Sequence, residues 1–219
     1  MKELTVCVPD ATEVPALLLA PADMRALFVL AHGAGAGMRH AFMEALAEHL
    51  AERGVGTFRY AFAYMHEGRR RPDPRPVLMA TVRAAVQAAA EHAAGVPMIA
   101  GGKSMGGRMT SLCAASDPLP DVRGLAFVGF PLHPAGKPGT TRAEHLADVG
   151  VPMLFLQGTR DKLAELERIR GVIDRLGPGA QLHVVEGADH GFAVLKRSGR
   201  SPSEVMAELA DAITTFATA

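Results

Sequence analysis

Short apolar segments alternate with longer amphipathic segments along almost the whole chain, and this alternation limits the possible folds more than any other feature. The segment 26–31 is continuously apolar, as expected for a strand that is buried on both faces of a sheet. Residues 40–52 follow it, with Phe42, Leu46 and Leu50 on one face of a helix. Strands that alternate with helices form parallel sheets with right-handed crossovers. The sequence therefore predicts an α/β fold with a mainly parallel central sheet and helices on both faces.

The same patterns predict the remaining elements. Further strands are expected at residues 4–8, 14–19, 55–61, 97–100, 125–130, 152–157 and 181–185, and further helices at 77–94, from 105, and at 142–149, 163–176 and 202–216. Residues 64–75 are polar and rich in proline, so we expect a loop there, and it is the longest candidate for a lid. No repeat or linker divides the 219 residues, which predicts one domain over residues 1–219 without a substantial cap domain.

The charge balance and the cysteine content exclude several classes of protein. Lys and Arg number 23, and so do Asp and Glu, so a nucleic-acid-binding role is not expected. The sequence contains neither a run of 18 apolar residues nor a signal-type start, which predicts a cytoplasmic protein that does not enter a membrane. Cys7 and Cys113 are too few for a disulfide framework, and both are predicted to be small buried apolar residues.

Residues 102–106 have the sequence Gly-Lys-Ser-Met-Gly and lie between a predicted strand and a predicted helix. This is the G-x-S-x-G pattern of a nucleophile elbow, a sharp turn that holds the serine in a strained backbone conformation. Glycines on either side of the serine allow neighbouring backbone to approach closely, because they carry no Cβ. Ser104 is therefore the predicted nucleophile, although it could serve only as the N-cap of the helix.

Two further strand ends supply the residues that a serine nucleophile needs. Asp161 and His190 each follow a predicted strand of their own. A histidine acts as the base, and an acid fixes its tautomer and stabilises its protonated form. The chain order Ser104, Asp161, His190 is that of α/β hydrolases, and parallel strands bring their carboxyl ends to one edge. Asp189 and Glu186 are rival acids, and Asp161 could act only as a helix cap.

A glycine-rich segment, His-Gly-Ala-Gly-Ala-Gly, begins at His32, directly after a predicted strand. This is the position at which the same architecture carries a loop that stabilises an oxyanion. The backbone N–H groups of Ala34 and Met105 are the predicted oxyanion donors, with Gly33 or Gly35 as alternatives to Ala34. His32 itself is expected to have a structural hydrogen-bonding role.

Several residues near these strand ends are candidates for the substrate pocket, with structural packing as the alternative role: Gly33, Gly35, Phe62, Tyr64, His133 and Phe192. Lys103 and Arg108 could attract an anionic substrate, or could simply be solvated. No pair of histidines or carboxylates has metal-ligand spacing, so neither a metal nor a cofactor is predicted. Two nucleotide-binding patterns fail, because Pro97 lies where a P-loop needs glycine and Met38 replaces the third glycine of a dinucleotide fingerprint.

Taken together, these motifs resemble the α/β-hydrolase superfamily, and within it the small, cap-free proteins that are similar to dienelactone hydrolase. Residues 130–138 and 156–161 are similar to a group of predicted hydrolases that includes the hydrolase-like domain of a chromatin acetyltransferase-complex subunit. The resemblance covers nearly the whole chain and implies that Ser104, Asp161 and His190 are nucleophile, acid and base. Dienelactone hydrolases proper have a cysteine nucleophile, whereas this chain has a serine.

The sequence thus predicts a serine hydrolase that forms a covalent acyl-enzyme with small-molecule, ester-like substrates. A non-catalytic binding or scaffold protein on the same fold is the alternative, since a fold does not guarantee an activity. A nucleotide-dependent enzyme that uses the glycine loops is a third hypothesis. The expected partners include neither nucleic acid nor a membrane, and the expected state is a monomer or a weak dimer.

Overall fold

The central sheet has eight strands within residues 1–9 and 12–219, the part of the chain that the computed structural model describes. The strands are β1 (Lys2–Cys7), β2 (Glu13–Leu19), β3 (Ala26–Ala31), β4 (Val55–Tyr60), β5 (Met98–Lys103), β6 (Val122–Val128), β7 (Met153–Gly158) and β8 (Ala180–Val185). Their order across the sheet is β1-β2-β4-β3-β5-β6-β7-β8. β2 is antiparallel to both of its neighbours, and the remaining pairs are parallel. The predicted mainly parallel sheet is confirmed.

Helices cover both faces of this sheet. They are α1 (Ala41–Ala51), α2 (Ala63–His66), α3 (Arg75–Ala90), α4 (Met105–Ser116), α5 (Leu166–Leu176) and α6 (Pro202–Ala217), with a 3-10 helix at Thr141–Asp148. α1 and α6 pack on one face, whereas α3, α4 and α5 pack on the other. The segment 64–75 was predicted to be a loop throughout, but its first residues belong to the single turn of α2.

β3 connects the two halves of the core. All of its side chains are buried, and they alternate between the faces of the sheet. Leu27 and Val29 pack with the helices of one face, whereas Phe28 and Leu30 pack with α1 and α6 on the other. Complete burial of side chains of this size stabilises the fold by about 1.5–3 kcal/mol each. β3 is thereby held rigidly, and so is the loop that leaves its carboxyl end.

The carboxyl edge of the parallel strands is not covered by a cap domain. Within the described residues, the longest connections at this edge are 61–74, 129–140 and 186–201, and they contain only α2 and one 3-10 turn. The edge at which the predicted site residues converge is therefore open.

Residues 1–9 and 12–219 contain no helix that is both long enough and apolar enough to cross a membrane.

The two cysteines differ in their surroundings. Cys113 is buried in α4, as predicted. The prediction that Cys7 is also buried is wrong, because its side chain is exposed. β1 is an edge strand whose inward position is taken by Val6, so the next residue points to the solvent.

Candidate active site

Ser104 lies in the sharp turn between β5 and α4. Its backbone has φ 50° and ψ −113°, a conformation that residues with a side chain rarely adopt. Such a conformation costs about 1–3 kcal/mol and persists only when its surroundings enforce it. Here the Ser104 N–H donates to the carbonyl oxygen of Val128 at 3.1 Å, and its own carbonyl accepts from the Arg108 N–H at 3.1 Å. The turn is thus fixed by β6 on one side and by α4 on the other.

Two glycines of the pentapeptide allow β3 to approach this turn. A Cβ at Gly102, where φ is 150°, would clash with the carbonyl group of Ala31. A Cβ at Gly106 would lie 2.6 Å from the carbonyl oxygen of His32. Because both atoms belong to rigid backbone, neither position tolerates another residue without movement of β3. The glycines therefore bring the loop after β3 against Ser104.

Three side chains from three strand ends form a hydrogen-bonded chain at this edge. Nε2 of His190 lies 2.9 Å from Oγ of Ser104, and Nδ1 of His190 lies 2.7 Å from Oδ2 of Asp161. An ionised carboxylate only accepts, so Nδ1 carries the ring proton and leaves Nε2 as an acceptor for the hydroxyl. The Asp161 side chain is fully buried, whereas 27% of the His190 side chain is exposed. The structure thus brings together all three residues that the sequence predicts.

The Asp161 carboxylate is held by two further donors. Nε2 of Gln157 donates to Oδ2 at 2.5 Å, and the Leu163 N–H donates to Oδ1 at 2.7 Å. Gln157 is completely buried at the end of β7, and the sequence did not indicate a role for it. Asp161 thus accepts from the turn that follows it, but it does not cap the helix as the sequence allowed, because α5 begins at Leu166 with Glu165 in the N-cap position.

Neither rival acid contacts His190. Asp189 accepts from the N–H groups of Gly191 and Ala193 at 2.8 and 3.0 Å, so its carboxylate stabilises the loop that carries the histidine. Glu186 accepts from the Thr159 hydroxyl at 3.3 Å. Both carboxylates thus serve local structure at the ends of β7 and β8.

Lys103, directly before Ser104, reaches across to the histidine loop. Its Nζ donates to the carbonyl oxygen of His190 at 2.5 Å and lies 5.8 and 5.4 Å from the ring centroids of Phe42 and Phe192. Burial lowers the pKa of Lys103 to about 8, although two nearby carboxylates oppose this effect. Lys103 is therefore not a freely solvated side chain, and it joins the turn of Ser104 to the loop of His190.

His32 orients the glycine-rich loop that follows β3. It is fully buried, and its Nε2 accepts from the Phe62 N–H at 3.1 Å. Nδ1 therefore carries the proton and donates to the carbonyl oxygen of Gly33 at 2.7 Å. Burial lowers the pKa of His32, which keeps the ring neutral. Because C=O and N–H of a trans peptide point in opposite directions, the Ala34 N–H points away from His32. The expected structural role of His32 is confirmed.

Tyr64 supports the same loop from α2. Its hydroxyl donates to the carbonyl oxygen of Ala34 at 2.8 Å, and its N–H donates to the Asp73 carboxylate at 2.9 Å. Asp73 in turn pairs with Arg69 at 2.7 Å. Burial raises the pKa of Tyr64 to about 12, so the phenol remains a donor over the physiological range. The segment predicted as a candidate lid thus anchors the glycine loop.

The six predicted pocket residues fall into two groups. Gly33 and Gly35 belong to the loop beside the elbow, and a Cβ at Gly33 would lie 3.8 Å from the Cβ of Ser104. The other four side chains are at most 3% exposed and pack inside the protein, which corrects the expectation that they line an open pocket: Phe62, Tyr64, His133 and Phe192. A position just after a strand end does not determine whether a side chain turns outward or folds beneath its loop.

His145 is half-buried, with Nε2 2.8 Å from Oγ of Ser111. Burial and the charges of Arg108 and Arg75 lower its pKa to about 4. Burial and neighbouring arginines also lower the pKa of Arg108 to about 10.

Within residues 1–9 and 12–219, no group of three or more His, Cys, Asp or Glu side chains could hold a metal ion.

Comparisons with known proteins agree with this architecture. A family model described as an alpha/beta hydrolase domain matches residues 24–218. An alpha-beta serine hydrolase homologue from Coxiella burnetii is 19% identical, with a TM-score of 0.74 over 98% of this chain and 96% of that one. A dienelactone hydrolase from Anabaena variabilis is 18% identical, with a TM-score of 0.77 and coverages of 98% and 94%. A serine hydrolase without a lid from Xanthomonas campestris is 18% identical, with a TM-score of 0.76 and coverages of 100% and 95%.

Proposed function

The chain belongs to the alpha/beta hydrolase family, and on that premise we propose that it is a serine hydrolase of ester-like substrates. Ser104 would be the nucleophile, His190 the base and Asp161 the acid that orients the base. The observation that carries the proposal is the pair of hydrogen bonds at His190, 2.9 Å to the serine hydroxyl and 2.7 Å to the carboxylate. These distances lie within the reach that nucleophile activation by a general base requires.

In the first half-reaction, Nε2 of His190 takes the hydroxyl proton while Oγ of Ser104 attacks the substrate carbonyl carbon. The C=O pair of electrons moves to oxygen and leaves a tetrahedral oxyanion. When this intermediate collapses, the bond to the leaving oxygen breaks, and the proton on His190 passes to that oxygen. The alcohol departs, and the acyl group remains bound to Ser104 as an ester.

The oxyanion would be stabilised by backbone N–H groups of Met105 and Ala34. Met105 is the first residue of α4, so its N–H has no partner within the helix. The Ala34 N–H is directed away from His32 by the hydrogen bond to the Gly33 carbonyl. One such donor is worth about 3–4 kcal/mol in the transition state. His32 and Tyr64 would be positioning residues, because they act only through this loop.

In the second half-reaction, water replaces the alcohol. His190 takes a proton from the water as its oxygen attacks the acyl carbon, and a second tetrahedral oxyanion forms at the same donors. Collapse breaks the bond to Oγ, the proton returns from His190 to Ser104, and the carboxylic acid leaves. The partly exposed ring of His190 gives solvent water access to this step.

Labelling with a fluorophosphonate tests this proposal. We expect one label per chain on Ser104 and hydrolysis of p-nitrophenyl acetate, with both lost in Ser104→Ala. Ser116→Ala is the matched control, because Ser116 lies on the same helix but is exposed and contacts only the Cys113 carbonyl. A folded wild-type protein that neither takes up label nor hydrolyses p-nitrophenyl esters of acetate, butyrate, hexanoate and octanoate would overturn the proposal and favour a non-catalytic binding protein.

A further inference from the structure

A pocket of about 110 Å³ opens beside the nucleophile elbow. Its walls come from the glycine loop, the start of α1, the elbow and the histidine loop. The residues that line it are Gly33, Ala36, His40, Phe42, Met43, Lys103 and Gly191. None of the larger side chains in this set was among the residues that the sequence predicted for the pocket.

The pocket adjoins the proposed reacting atoms on two sides. A Cβ at Gly33 would lie 3.8 Å from the Cβ of Ser104 and 3.7 Å from Cγ of Lys103, so this wall touches the elbow itself. Gly191 directly follows His190 and forms part of the opposite wall. A substituent in the pocket would therefore remain bonded to a carbonyl group within reach of Ser104.

The walls are mainly apolar, and Nδ1 of the polar side chain His40 already accepts from the Phe42 N–H at 3.2 Å. Phe42 and the buried Met43 contribute hydrocarbon and thioether surface, and Lys103 contributes the methylene groups of its side chain. The Lys103 ammonium is engaged by the His190 carbonyl, so it does not need a charged group on the ligand as its partner. Such walls favour an alkyl group over a carboxylate, a phosphate or a sugar.

We propose that this pocket binds one short, unbranched alkyl arm of the ester, up to about four carbons long; this rests on the proposed function. An apolar cavity of roughly 150 Å³ accepts benzene, and one water occupies roughly 30 Å³ of the liquid. A pocket of about 110 Å³ therefore has room for roughly four methylene-sized groups. A longer arm must leave the pocket and lose contact with its walls.

Two ester series test the size limit. One contains p-nitrophenyl esters of acetate, butyrate, hexanoate and octanoate, and the other contains ethyl, butyl, hexyl and octyl acetate. We expect kcat/KM to fall at least tenfold between four and six carbons in one of the two series. The series in which it falls identifies the arm that occupies the pocket.

Variants of the walls provide the second readout. Phe42→Ala should move the fall to longer chains, and Ala36→Leu should move it to two carbons. Phe216→Ala is the matched control: Phe216 is also half-buried in the core cluster of α1 and α6, but it packs against Gly124 near the opposite edge of the sheet. This variant should keep the wild-type dependence on chain length, even where it lowers the thermal midpoint.

Labelling separates failure of this proposal from failure of the proposed function. Normal fluorophosphonate labelling of Ser104 with no dependence on chain length in either series would overturn the size limit and leave the serine hydrolase intact. A fall at the same chain length in wild type, Phe42→Ala and Ala36→Leu would also overturn it, because the limit would then lie outside this pocket. Absence of both labelling and turnover would instead overturn the underlying function.

Discussion

Replacement of Lys103 by methionine should lower activity without lowering stability. The ammonium group of Lys103 donates to the carbonyl oxygen of His190 at 2.5 Å, and it lies 5.8 and 5.4 Å from the ring centroids of Phe42 and Phe192. Methionine has a similar length and no branch, so it can fill the same space with an apolar group. The change removes the link between the nucleophile turn and the histidine loop but keeps the packing.

The size of the effect follows from the bond that is lost. A hydrogen bond to a charged group contributes about 1.5–3 kcal/mol. If that free energy holds His190 in line with Ser104, its loss lowers kcat by about ten- to a hundredfold, because 1.36 kcal/mol corresponds to a tenfold change in rate. The thermal midpoint should change little, since relief of the unfavourable burial of the Lys103 ammonium offsets the loss of its hydrogen bond.

The assay measures kcat, KM, the rate of fluorophosphonate labelling and the thermal midpoint on the same preparation. Lys162→Met is the matched control, because Lys162 is exposed beside Asp161 and should tolerate the change. KM should change little, since methionine keeps an apolar side chain in the pocket wall and only the contact with the His190 loop is lost. A kcat in Lys103→Met within twofold of the wild-type value would refute the reasoning, and so would a loss of activity that merely follows a loss of folded protein.

The pH profile gives an independent readout of the same link. Deprotonation of Lys103 above about pH 8 replaces a charge-assisted hydrogen bond with a neutral one, which is roughly half as strong. Wild-type kcat should therefore decline several-fold above this pH, whereas Lys103→Met should show no such decline. The carboxylates of Asp161 and Asp189 favour the charged form of the lysine and so oppose its deprotonation. An identical alkaline limb in the two proteins would assign the decline to another group.

Three further changes test other parts of the site. Asp161→Asn should lower kcat by about 10³- to 10⁴-fold in a folded protein, because an amide cannot hold His190 in the required tautomer; a loss below tenfold would contradict this. Tyr64→Phe removes the bond to the Ala34 carbonyl, worth about 1 kcal/mol, and should lower kcat about fivefold at constant KM; a change in KM alone would argue against a role in the oxyanion loop. The pKa of His145 is about 4 in the folded state and about 6.5 when unfolded, so the unfolded chain binds the proton first on acidification. The stability that this pKa difference contributes is therefore fully present above pH 6.5 and is lost as the pH falls toward 4. The urea midpoint of His145→Gln should fall less than that of the wild type between pH 7 and 4.5, and an equal fall in the two proteins would exclude His145 as the source.

The end of β5 could not be predicted from the sequence, because a glycine can either end a strand or allow another strand to approach closely. The strand predicted at residues 97–100 extends to Lys103 as β5, through Gly101 and Gly102. Glycine disfavours strands, so the predicted strand ends three residues too early. In the structure a Cβ at Gly101 would clash with the Ala126 backbone of β6, which shows why glycine is required there. Only the neighbouring strand, which the local sequence does not describe, distinguishes a strand end from a close approach.

The single turn of α2 escaped prediction for a different reason. Ala63–His66 is too short to show a helical period, and a helix of this length is not stable by itself. It forms here because the Tyr64 N–H is capped by Asp73, nine residues further along the chain. The capping contact is therefore tertiary, and no window of sequence around residues 63–66 contains it.

The positions of Ser104, Asp161 and His190 were predictable because each follows its own strand and chain order fixes the edge. The side chains that orient these three residues were not predictable. Gln157 resembled an ordinary last residue of the strand predicted at 152–157, yet its amide donates to the carboxylate of Asp161. Lys103 resembled a solvated residue, because hydrophobicity alone does not indicate that a long side chain will reach the histidine loop. Such partners depend on distances between elements, which a one-dimensional pattern does not specify.

These orienting contacts matter for the proposed chemistry, because an oxyanion is stabilised efficiently only by dipoles that need not reorganise. Each reacting group in this site is fixed by an element other than its own: Ser104 by β6, the glycine loop by α2, and His190 by the elbow lysine. The supports converge on rigid strands that are buried on both faces, and no cap has to close over them. The site therefore gains its alignment from the folded core, and a single support such as Lys103 can be removed without unfolding the chain. Activity should consequently be more sensitive than stability to changes in these supports.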